Sequence, residues 1–275
     1  MLTRKSDSMM KVVILAVLAA VVLGGVFCSK GARESLPEYP GWQKYSYKHF
    51  VFHFPADSYW GKNMESFSNA YERYLEEDCE FLGIDIPKDT IHFYIHNNGV
   101  EGKKLTGREL PFHTENQIHW DRVPPFGTPL ARYLVGHMGI RRTDWNFLYD
   151  GLITLRDYSG RNYHHNVAGL IEMGRYIPLD SLIDNEAFAR QDKYHREWEA
   201  ASFVGTITFN FGVNRFKMLW QSTASFDKSI EELFGMSIQE FEEKWKEFVK
   251  IDYEGMNVRT IQLDSTSTDS SQNKK

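Results

Sequence analysis

At 275 residues, with apolar side chains at 42% and aromatics at 15%, the chain is long and apolar enough to build a real core, which excludes a wholly disordered protein. A net charge of −5 excludes nucleic acid as an expected partner, because no excess of cations would draw a phosphate backbone. Two cysteines, Cys28 and Cys79, exclude a disulfide framework, and Cys79 reads as a partly buried helix residue.

The N-terminus is compositionally distinct. Arg4, Lys5 and Lys11 precede an uncharged apolar run from Val12 to Phe27, which reads as an export signal with its basic flank held in the cytoplasm. Cys28 ends the run, so two tethers stand open: an uncleaved apolar anchor, or a lipid on Cys28 preceded by Gly25-Val26-Phe27. Residues 1–29 are thus a signal peptide or anchor and 30–42 a polar spacer. Residues 43–253 form the folded domain, facing outward from the membrane. A polar tail over 254–275 has too few apolar groups to fold.

Along the domain, phenylalanines alternate in His49-Phe50-Val51-Phe52-His53-Phe54, predicting a half-buried strand. Met64, Phe67, Tyr71, Tyr74, Leu75 and Leu82 then recur at helical spacing, and Gly83 ends the helix. Ile91, Phe93 and Ile95 face inward on a second strand, leaving His92, Tyr94 and His96 on a polar outer face. Gln117–Trp120 is a third strand.

Beyond Pro129 the pattern becomes helical, with helices predicted over Leu130–Met138, Trp145–Arg156 and Glu197–Phe211. Ile230, Leu233 and Phe234 mark another, stopped by Gly235. Ser237-x-x-Glu240 is a capping box that opens the last, with Ile238, Phe241, Trp245, Phe248 and Val249 as its inner stripe.

Four segments in order resemble a gluzincin of the peptidase MA-like superfamily. Leu130-Ala131-Arg132-Tyr133-Leu134-Val135-Gly136-His137 is similar to its active helix, and Phe147-Leu148-Tyr149-Asp150-Gly151-Leu152 to its Trp-Leu-x-Glu-Gly-Leu segment. Ala201-Ser202-Phe203-Val204 with Phe211–Phe216, and the stretch Phe226–Trp245, resemble its later helices. The resemblance spans roughly residues 45–250 and implies an α+β, zincin-like fold. A small N-terminal mixed sheet with a flanking helix would precede a mostly helical C-terminal half.

In that family two histidines four apart and a carboxylate from the next helix hold zinc, and the glutamate after the first histidine is the base. Aligned here, His137 takes the second histidine position and Asp150 the third ligand, while Tyr133 and Leu134 stand at the first histidine and the base. Leucine takes no proton from water, and tyrosine is a poor zinc ligand. No catalytic residue and no cofactor are expected. Zinc would return only to a rebuilt site, with His119, His164 or His165 as candidate further ligands. The pair at 164–165 otherwise reads as a loop or solvated surface. A non-catalytic envelope protein follows as the first expectation, its cleft binding a peptide or envelope partner. A zinc-dependent hydrolase on His137 and Asp150 is the alternative.

Overall fold

The computed structural model describes residues 36–121 and 126–251; the apolar run, Cys28 and the polar tail lie outside them. The chain falls into two units, Met1–Pro40 and Gly41–Lys275. Of the first, residues 36–40 are described and carry neither helix nor strand. Among the described residues no helix is long and apolar enough to cross a membrane.

The second unit is a mixed α+β fold. Five strands, β1 (Trp42–Tyr47), β2 (Phe50–Pro55), β3 (Ile91–Ile95), β4 (Phe112–His113) and β5 (Gln117–Trp120), form one sheet in the order β1-β2-β3-β5-β4. The central pairs β2–β3 and β3–β5 are parallel, and both edge strands run antiparallel to their neighbours. Alternation puts Phe50, Phe52, Ile91, Phe93, Ile95, Ile118 and Trp120 on one face. That face packs against α1 (Tyr59–Leu82), whose Phe67 and Tyr71 rings meet Phe52 and Phe93 at 5.4 and 4.7 Å. Gly83, in the left-handed region at φ 58°, closes the helix as its predicted stop. Cys79 is fully buried, not half-buried, and burial pushes its thiol up to about 11.

The other face departs from the expected polar surface. His53, Tyr94 and His119 lie in register on β2, β3 and β5, and Phe112 on β4 pairs with His119. Their rings stack across the strands at 4.2, 4.4 and 4.4 Å, and the Arg108 guanidinium sits 4.1 Å from the Phe112 ring. Tyr94 and His96 are fully buried and His53 and His119 nearly so. Histidine scored as polar in the sequence, yet an uncharged imidazole stacks like any flat ring. Burial accordingly lowers His96 to about 4 and His119 to about 3.

The remainder is helical: α2 (Gly99–Thr106), α3 (Thr128–Gly136), α4 (Asn146–Leu155), α5 (Tyr163–Glu172), α6 (Leu179–Ile183), α7 (Asn185–Arg190), α8 (Lys193–Asn210), α9 (Val213–Gln221), α10 (Phe226–Phe234) and α11 (residues 238–251). The two halves share a polar tie. Arg156, at the end of α4, donates from Nε to Asp78 of α1 at 2.6 Å, and the Tyr158 hydroxyl reaches the same oxygen at 2.9 Å.

Candidate functional site

A cleft of about 480 Å³ opens where α3, α4 and α8 converge. Its α3 wall is anchored at Gly127, which donates its backbone N–H to the Asp157 carbonyl at 2.8 Å. A side chain there would come within 2.3 Å of the Arg156 carbonyl oxygen, so only glycine lets α3 start this close to the chain leaving α4. The opposite wall depends on Gly151, which brings α4 against the α8 backbone at Ala200. At the start of α8, Asp192 caps the helix by accepting from the Tyr194 and His195 amides, extending it a turn before its predicted beginning.

These contacts fix which side chains enter the cleft. From α3 they are Thr128 and Arg132, four apart on one face. Asp150 comes from α4, Lys193, Glu197 and Trp198 from α8, and Arg161 from the segment before α5. Tyr133 and Leu134 are not among them. Both point into the core at 1% exposure or less, and burial pushes the Tyr133 hydroxyl up to about 12. Each helical residue advances about 100°, so the face presented to Asp150 belongs to Arg132, one position before Tyr133.

His137 does not line this cleft either. The helix ends at Gly136, two residues before its predicted end, and His137 is the residue that closes it. Its Nδ1 donates to the Tyr133 carbonyl at 2.8 Å, and its ring lies 4.2 Å from the Tyr133 ring. The imidazole therefore satisfies a carbonyl that the helix end leaves open. His113 of β4 lies near this helix end, its ring 6.1 Å from the Tyr133 ring, and burial lowers its pKa.

The other histidines considered as further ligands have their own partners. His119 stacks within the sheet and its Nδ1 lies 3.1 Å from His96 Nε2. His164 and His165 sit on a helix, not a loop, and point apart as adjacent residues must. His164 turns inward, with Nδ1 2.8 Å from Ser202 Oγ, while His165 is exposed. Among the described residues, no three His, Cys, Asp or Glu side chains come together as a metal site.

Asp150 is half-buried, and burial raises its pKa against the opposing pull of Arg132, Arg196, Arg142 and Lys193. Glu197 is raised by burial and by the Asp150 charge, and Lys193 stands 3.9 Å from it. Arg132 stands out among the residues that line the cleft. Its Nε is buried without a hydrogen-bond partner, and among the described residues no carboxylate lies within ion-pair distance of it. A fixed guanidinium beside Asp150 opposes a dication at the same carboxylate, so this donor set does not suit zinc. Sequence reasoning passed over Arg132, Glu197 and Lys193. The available signal was Thr128 and Arg132 at i and i+4, on the face opposite the apolar stripe of Leu130 and Leu134.

Compared with known proteins, the chain matches no family model, no curated protein and no solved structure.

Proposed function

We propose that this chain is an exported, membrane-tethered protein with a zincin-like, peptidase MA-like frame whose cleft binds a ligand without hydrolysing it. The frame is supported by the order of its parts: a small mixed sheet with one flanking helix, then a helical half in which α3 and α4 converge on a cleft. Tethering rests on the basic flank and the apolar run from Val12 to Phe27, with a lipid on Cys28 as the other route.

One observation carries the functional reading. Beside Asp150, α3 presents Arg132, a permanent cation that neither ligates a metal nor accepts a proton. Thr128, one turn earlier, supplies no base of useful strength. A zinc hydrolase built on His137 and Asp150 has less support, since His137 is engaged at the helix end and is absent from the cleft lining.

The test is turnover. Full-length protein in detergent micelles is incubated with zinc and a mixed peptide library, and products are read by mass spectrometry. Intact peptides are the expected result. Cleavage that disappears in Asp150→Asn would overturn the non-catalytic reading.

A further inference from the structure

The geometry points to the C-terminal end of a peptide as the ligand: Arg132 takes its free carboxylate and Asp150 takes its last backbone N–H. This rests on the cleft being a binding site and adds what it recognises. Arg132 and Asp150 share the cleft without pairing with each other, and the guanidinium has a buried Nε with no acceptor. Two opposite charges left apart in a half-enclosed space leave room for a group that carries an acceptor for one and a donor for the other. A planar carboxylate matches the fork of a guanidinium, and such charge-assisted pairs are strong where water is scarce.

The neighbouring charges select among anions. Asp150 and Glu197 both line the same space and repel a multiply charged group such as phosphate, whereas a monoanion with an adjacent N–H satisfies both signs at once. Trp198, Ile153 and Pro111 give the cleft an apolar wall for the terminal side chain. A neutral glycan could stack on Trp198, but it would leave the guanidinium and the carboxylate desolvated and uncompensated. At about 480 Å³ the cleft has the size of a short peptide end rather than a folded partner.

Calorimetric titration of the full chain in detergent distinguishes these outcomes, using Ala-Ala-Phe, its C-terminal amide, and chitotriose as probes. The free acid should bind on the order of 10-fold more tightly than the amide. Arg132→Gln should erase that difference, Arg132→Lys should restore part of it, and Asp150→Asn should weaken the free acid. Because the Arg132 Nε has no partner to lose, Arg132→Gln should keep the wild-type melting temperature, which separates lost recognition from lost folding. Equal binding of acid and amide overturns the carboxylate assignment while leaving the cleft a binding site, and so does binding of chitotriose alone. Absence of binding by both peptides up to about 1 mM overturns it as well. Cleavage of Ala-Ala-Phe overturns the non-catalytic reading and leaves the recognition of its carboxylate standing.

Discussion

Gly151 of α4 lies so close to Ala200 of α8 that a β-carbon on it would fall 2.5 Å from the Ala200 carbonyl oxygen and 2.9 Å from the Val204 Cγ2. Asp150, next to Gly151, and Glu197, three residues before Ala200, both line the cleft. Backbone, unlike the end of a flexible side chain, has nowhere to move. Gly151→Ala should therefore destabilise the protein by roughly 1–3 kcal/mol, as overpacking does. Gly169→Ala is the control: it sits in α5 with nothing within 4 Å of its would-be side chain. That substitution should be neutral or stabilise by about 0.5–1 kcal/mol. Urea unfolding of both variants checks the pair, and equal effects would contradict the packing argument.

Ser202 links two elements by one oxygen. The Trp245 indole N–H donates to Ser202 Oγ at 3.0 Å, and His164 Nδ1 lies 2.8 Å from the same oxygen. Ser202→Ala strands a buried indole donor and should cost about 1–3 kcal/mol. In a double-mutant cycle with Trp245→Phe the two losses should fall short of additive, since the second change removes the stranded donor. Full additivity would show that the hydrogen bond contributes nothing.

Glu199 is fully buried, accepts from the Ile177 amide at 3.0 Å, and is pushed up to about 8 by burial. Its ordinary value is 4.5, so the folded protein holds this proton more tightly than the unfolded chain. The stability it contributes is complete below 4.5 and is lost as pH rises from there to about 8. Glu199→Gln keeps an acceptor for Ile177 and removes the titration. Melting temperatures across that range should show the variant gaining on wild type as pH rises. A constant offset would contradict the assignment.

The buried imidazoles act in the opposite direction. His96 and His119 fall from 6.5 to about 4 and about 3 through burial, so their contribution is intact above 6.5 and fades as pH falls toward those values. Nitrogen-15 NMR of the His119 ring at pH 5 should show it neutral. A protonated ring at that pH would mean the stacked face is open to water.

Periodicity made the fold's frame legible. The alternating phenylalanines of β2, the stripe of α1 and its Gly83 stop were all readable, because a half-buried strand or helix must repeat its apolar residues at its own period. Edge strands β1 and β4 were missed, the first because its polar face is exposed and the second because two residues are too short to show alternation. At the site, Asp150 was legible but the facing residue of α3 was not. A one-residue offset along a helix turns the side chain by about 100°, and sequence likeness without an intact motif does not pin that register. Hence Tyr133 and Leu134 stood where the fold places Arg132. The role of His137 as a helix-end cap was equally hidden, since only the backbone break after Gly136 reveals it.

Whether Asp150 shares its cleft with an arginine cation rather than a metal is decided most directly by zinc content. Full-length protein, purified without chelator and then equilibrated with zinc, is measured by elemental analysis beside Arg132→Ala and Asp150→Asn. Clearly sub-stoichiometric zinc in the wild type, unchanged in Asp150→Asn, is the expected result. Zinc near one per chain that Asp150→Asn loses would contradict a metal-free cleft.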